Sequence, residues 1–212
     1  LGLVGSEMCI RDSFSVMEGE PLWCAGAEHT RAELDCLVRV GALEHLLLDL
    51  YCPRGTADAR VRAAALRAIV LPRVADGSTV IGPTAAWVHL GGSAPERLHV
   101  AVAFFHRCPP TDGRVRWRFT QTDVAAGPSS AAPAETDVQI VDGLRVTSWE
   151  RTVVDLLLSG EPTDVRAAAR LLRWVEPDAV RERLGAVAGR RRTGSVAARA
   201  RLERLAHTLS TA

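Results

Sequence analysis

The chain has 212 residues, 47% hydrophobic and 24% charged, enough for one large domain or two small ones around a real core. That composition excludes a disulfide-stapled peptide scaffold, wholesale disorder and a fibrous repeat. The formal net charge of +1 offers no bulk attraction to nucleic acid or an anionic membrane, so any such binding must come from a local patch.

All 26 basic residues are Arg and neither Lys nor Asn occurs, a skew that fits a GC-rich genome because the Lys and Asn codons are A-rich. The first thirteen residues, LGLVGSEMCIRDS, lack the basic start and long apolar stretch of a signal peptide. Back-translated, GSEMCIRDS matches the tail of a transposase sequencing adapter, so Leu1 to Ser13 is read as non-native and the true N-terminus is expected to be missing. Past that stretch, Cys24, Cys36, Cys52 and Cys108 are expected to be reduced thiols, since no secretory leader is visible and the chain exceeds the small disulfide scaffolds. Cys24, His29, Cys36 and Cys52 lack the close-paired spacing of a zinc site, and no metal is expected. With no apolar run of about 18 residues, a membrane span is not expected, and the protein is read as cytoplasmic.

From Thr30, the residues Leu34, Leu37 and Val38 recur at helical spacing, with Thr30 as N-cap and Glu33 completing a capping box. Gly41 ends that helix. Leu43 to Tyr51 is an apolar run that reads as a strand or a hairpin, closed by Cys52-Pro53-Arg54-Gly55. Helix, glycine turn and short β element make the last half of a winged helix-turn-helix, whose first helices would lie upstream. Asp58 to Leu71 predicts a helix stopped by Pro72. Thr79 to Ile81 predicts a short strand and Pro83 to Leu90 a helix. Leu98 to Phe105 and Val115 to Thr120 alternate as strands, Gly127 to Pro133 reads as a loop, and Val138 to Val141 with Leu144 to Val146 flank the hairpin dipeptide Asp142-Gly143. After Ser148 only helices are expected: Trp149 to Leu158, Asp164 to Val175, Ala179 to Val187 and Val196 to Leu209. In the second of these, Val165, Ala168, Ala169, Leu172 and Val175 form one apolar stripe, with Arg166, Arg170 and Arg173 away from it.

Three stretches carry a resemblance: TRAELDCLVRVGALEHLLLDLYCP, VIGPTAAWVHLGG and VDGLRVTSWERTVVDLLLSG. Over about residues 28 to 160 the chain resembles the AbiEi family, the antitoxin-like proteins of abortive-infection type IV toxin–antitoxin systems, in their actinobacterial form. The first stretch is similar to the family's recognition helix and wing, the second to its central strand-helix. The third is the most specific, a hairpin feeding a helix that carries Arg151-Thr152 and Asp155. The resemblance implies a winged-helix DNA-binding end that represses its own operon and a larger C-terminal region that restrains a nucleotidyltransferase-like toxin. The expected fold class is α+β: residues 14–56 a truncated winged-helix remnant, and 57–212 an antitoxin-like region with a small mixed α/β middle and a helical C-terminal part.

The charge pattern runs against that placement of DNA. From Phe14 to Thr56 there are three Arg and seven acids, a net of −4, where a phosphate contact needs cations. Where family wings carry Arg, this chain reads Leu46-Leu47-Leu48-Asp49-Leu50-Tyr51. Thr30, Arg31 and Arg39 are the candidate contacts on the recognition helix. From Gly189 to Arg204 there are six Arg and one Glu, a net of +5, so Arg190, Arg191 and Arg192 are candidate contacts for DNA or an acidic partner, with a solvated face as the alternative. Arg151 and Asp155 read as a structural i,i+4 pair.

No phosphate-binding glycine motif or nucleophile elbow is present, and no cofactor is implied. Cys108, before two prolines, lacks the helix N-terminus that would activate a thiol next to His106 or His99. His89, beside Trp87, reads as a packed histidine. The expected function is therefore a non-enzymatic, antitoxin-like regulator. Two alternatives stand beside it: a truncated accessory region of a very-short-patch-repair-like nuclease, and a pure protein-binding module.

Overall fold

The computed structural model describes residues 22–26, 28–74, 76–102, 115–122, 124, 137–188 and 194–211, which form an α+β structure with two sheets. Strand β1 (Trp23–Cys24) is followed by helix α1 (Arg31–Arg39) and by the hairpin β2 (Leu43–Leu47) and β3 (Leu50–Pro53). The three strands make an antiparallel sheet in the order β1-β3-β2. Helix α1 starts where its capping box dictates: the Thr30 hydroxyl accepts the Glu33 N–H, and the Glu33 carboxylate accepts the Thr30 N–H at 2.7 Å. The hairpin turns on Leu48 and Asp49, with Leu48 at φ +56°. That left-handed conformation costs an L side chain roughly 1–2 kcal/mol, and Leu48 offsets it by packing against the main core.

Helix α2 (Ala59–Val70) is capped by the Asp58 carboxylate, which accepts the N–H groups of Arg60 and Val61. Next come β4 (Thr79–Val80), α3 (Gly82–Leu90), β5 (Leu98–Val102), β6 (Trp117–Gln121), β7 (Val138–Val141) and β8 (Leu144–Thr147). These strands form a mixed sheet in the order β6-β5-β4-β8-β7, with β4 antiparallel to β5 and parallel to β8. The strand expected over Leu98 to Phe105 is described as far as Val102, and the loop expected over 127–133 lies outside the described residues. Asp142 and Gly143 both take positive φ, +45° and +71°, as a two-residue hairpin turn requires.

Four helices close the chain: α4 (Trp149–Ser159), α5 (Pro162–Leu171), α6 (Pro177–Ala188) and α7 (Ser195–Ser210). Helix α5 begins earlier than its periodicity implied because Pro162 fits the first turn, where its missing N–H costs nothing. It ends at Leu171, and Arg173 and Trp174 continue as a tighter turn bonded back to Arg170 and Leu171. Its buried apolar residues are Ala168 and Leu171, followed by Leu172 in the closing turn, while Val165, Ala169 and Val175 of the expected stripe are half-buried.

Two cores hold these elements together. In the first, Val80, Leu98, Val100, Val102, Leu144 and Val146 of the five-stranded sheet meet Val61, Leu66, Ile69 and Val70 of α2. In the second, Leu156, Leu157, Leu171, Leu184 and Leu202 join α4 to α5, α6 and α7. Helix α3 lies between them, giving Trp87 and Val88 to the first and Ala86 to the second. A helix apolar on every side is stable only in such a position.

Candidate functional site

Helix α1 and its hairpin share a small core of their own, with Leu34, Leu43 and Tyr51 buried. The Tyr51 hydroxyl donates to Asp35 at 2.9 Å and so ties the hairpin to the helix; burial pushes the phenol pKa up. The outer side of α1 exposes Arg31 and Arg39 together with Leu37 and Val40. Thr30 sits at the N-cap, its hydroxyl donating to the Glu33 carboxylate at 2.9 Å. Arg31 is 3.4 Å from Asp49 at the hairpin turn and remains 62% exposed. A phosphate approaching Arg31 must therefore compete with a carboxylate already in place.

The apolar hairpin has a structural cause that its sequence did not disclose. Leu46, Leu47, Leu50 and Cys52 are buried in the first core, against α2 and the five-stranded sheet. The hairpin is thus a docking element for the body of the molecule, and Arg at those positions would bury a charge. Burial also pushes the Cys52 thiol up to about 11, which leaves it protonated and unreactive at neutral pH.

At the other end of the chain, Arg190, Arg191 and Arg192 lie outside the described residues. Beyond them, Arg199 and Arg204 are exposed on α7, but Arg201 turns inward and donates to the Leu157 carbonyl at 2.9 Å. Arg201 thereby serves an orphan carbonyl at the C-terminal end of α4, packed over Gly160, which holds a left-handed φ of +72°. Glu203 takes two bonds of 2.8 Å from Arg181 and pins α7 to α6; that pairing raises the Arg181 pKa and lowers the Glu203 pKa.

The Arg151 and Asp155 pair is part of a larger buried network. Arg151 is wholly buried, with Nη1 2.9 Å from Asp137 and Nε 3.2 Å from Asp155. Asp137 also receives Arg183 from α6 at 2.7 Å. One carboxylate just ahead of β7 thus holds α4 and α6 to the sheet, and the arrangement reads as a structural joint. Arg62 plays a similar part on α2: it donates to the carbonyls of Val88 and His89 at the end of α3 and to that of Ala57 ahead of α2. Burial lowers its pKa. It lines an open groove of about 380 Å³ together with Glu44, His45, Trp87, Leu90 and Gly91.

His89 is buried and stacked on Trp149, ring centroids 4.7 Å apart, with Nε2 2.9 Å from the Thr147 carbonyl. Burial lowers its pKa, as it does for His99. Cys108 and His106 lie outside the described residues. Among the described residues no group of three or more His, Cys, Asp or Glu side chains is arranged to hold a metal ion, and no helix is long and apolar enough to cross a membrane.

The sequence profile of the AbiEi antitoxin C-terminal domain matches residues 78–206, more than half of the chain. The chain belongs to this family. The AbiEi match begins just ahead of β4 and ends within α7, so it takes in the five-stranded sheet and the helices α3 to α7, with α1, its hairpin and α2 in front. The protein therefore carries an antitoxin domain of toxin–antitoxin systems, from a family of regulators. No curated protein matches the chain in sequence. Among solved structures the chain is similar to the RV2827C protein from Mycobacterium tuberculosis, at 16% identity and a TM-score of 0.40, over 82% of this chain and 63% of that one.

Proposed function

We propose that the protein is a DNA-binding autorepressor and antitoxin that restrains a nucleotidyltransferase-like toxin. The AbiEi match across the sheet and helical bundle carries this reading. Within it, α1 is the element that meets the operator, through Thr30, Arg31 and Arg39, while Arg190, Arg191 and Arg192 supply most of the phosphate attraction. Two features support that division. Arg31 already faces Asp49, and Glu33 and Asp35 lie on the same short helix. The stretch from Gly189 to Arg204, by contrast, has a net charge of +5.

The test is DNA binding to the region upstream of the gene, measured against salt concentration. Replacing Arg190, Arg191 and Arg192 by Ala is expected to flatten the log–log salt slope by about 0.9 for each lost contact, roughly 3 in all. Replacing Arg31 and Arg39 by Ala is expected to leave that slope nearly unchanged. Loss of all binding in the Arg31 and Arg39 variant, with normal binding in the triple variant, would overturn the division. For the antitoxin half, co-expression with a nucleotidyltransferase-like toxin encoded beside the gene is expected to restore growth, and failure to do so rejects that half.

A further inference from the structure

Helix α5 carries a basic edge that neither the packing nor the DNA-binding reading uses. Its inner side gives Ala168 and Leu171 to the helical core, with Leu172 following in the closing turn. Arg166, Arg170 and Arg173 are exposed. Arg166 and Arg170 are one turn apart, about 6 Å along the axis, and Arg173 follows where its N–H bonds back to the Arg170 carbonyl at 3.4 Å. Among the described residues no salt bridge engages any of the three. The carboxylate in the first turn, Asp164, is buried and accepts the Ser159 hydroxyl. Beside Arg173 stands Trp174, 73% exposed.

A solvated helix face accounts for exposed arginines but not for an indole left in water next to them, since large aromatic side chains are ordinarily mostly buried. The partner that satisfies both features brings anions at intervals of about one helical turn and a flat π surface. Duplex DNA offers the anions, but its base faces are closed in the stack. An acidic peptide offers carboxylates, but a flat π face only where an aromatic side chain falls beside them, whereas every nucleotide carries both groups. A single polynucleotide strand offers both, phosphates for the guanidiniums and an unpaired base for the indole.

We propose that Arg166, Arg170, Arg173 and Trp174 bind a single-stranded polynucleotide, with phosphates along the arginine edge and one base stacked on Trp174. This contact tolerates sequence and lies apart from the operator contacts assigned to α1.

The experiment is fluorescence anisotropy with short labelled oligo-rU and oligo-dT, in the full chain and in a variant with Arg190, Arg191 and Arg192 changed to Gln, so that binding at that loop is not what is read. Trp174→Ala is expected to weaken binding by about 5- to 150-fold, the measured range for losing one stacked base. Arg166→Gln with Arg170→Gln is expected to lower the log–log salt slope by about 1.4, or 0.7 for each lost contact on a single strand. All these side chains are exposed, so the melting temperature should not move. Tighter binding of oligo-rU identifies RNA as the source of the strand, and tighter binding of oligo-dT identifies DNA. Three outcomes overturn the proposal: Trp174→Ala binding as tightly as the parent, a duplex binding as well as either single strand, or polyglutamate displacing both oligonucleotides.

Discussion

Between residues 22 and 53, Leu34, Leu43 and Tyr51 make a core private to α1 and its hairpin, whereas the four helices after Ser148 bury Leu156, Leu157, Leu171, Leu184 and Leu202 against one another. The first region cannot stand on three buried side chains, and it lends Leu46, Leu47 and Leu50 to the core under the five-stranded sheet. The bundle spends its polar residues differently: Arg151, Arg183 and Arg201 hold helices together from within or complete their ends. In the N-terminal region the apolar hairpin holds the helix in place, and in the C-terminal region arginines do much of the joining. The number of arginines in a segment is therefore a poor guide to how many can meet a phosphate.

The contrast is sharpest at the buried arginine. Arg151→Met would leave Asp137 and Asp155 without their common partner, and should destabilise the fold by about 3–5 kcal/mol in urea titration. A loss below about 1 kcal/mol would mean that Arg183 alone satisfies Asp137. Leu156→Ala or Leu157→Ala, each fully buried, should cost about 2–5 kcal/mol. Leu46→Ala, 6% exposed on the hairpin, should fall in the lower part of that range because its side chain belongs to the shared core. A neutral Leu46→Ala would show that the hairpin is held by its private core alone.

Gly160→Ala and Gly55→Ala separate backbone strain from packing. Both glycines have left-handed φ, +72° and +82°, but a methyl at Gly160 would come within 2.5 Å of Arg201 whereas one at Gly55 meets open space. Each should lose about 1–2 kcal/mol for the backbone, and Gly160→Ala should lose more, in step with release of Arg201 from the Leu157 carbonyl. Equal losses would mean that Arg201 moves aside without cost.

The smallest expected effect is on pH dependence. Burial holds His89 below its ordinary pKa of 6.5, so the native state favours the neutral ring while the unfolded chain takes up a proton at the ordinary value. Its contribution is therefore complete above pH 6.5 and declines as the pH falls below it. His99 shifts in the same direction, so His89→Gln should reduce the slope of stability against pH in that range without abolishing it. An unchanged slope would place the titration elsewhere.

Local rules were enough for most of the elements. Thr30 and Glu33 specify the start of α1, Asp142-Gly143 specifies the β7–β8 turn, and Gly160 and Pro162 punctuate the helices on either side, because each acts on backbone groups within a few residues. The Arg151 and Asp155 pair was legible for the same reason, as neighbours on one helical face. The AbiEi likeness was legible in the motif around it. The partners that complete each site come from far along the chain: Asp137 is fourteen residues before Arg151, and Arg62 reaches carbonyls twenty-six and twenty-seven residues away. No periodicity encodes such distances, since they depend on how the sheet and helices stack. The hairpin leucines show the same division. Their apolar run and its lack of arginine are properties of the sequence, but whether they face solvent, a phosphate or a core was decided by α2 and the sheet closing over them. That outcome follows from the free energy of burying apolar surface, which depends on what the surface meets.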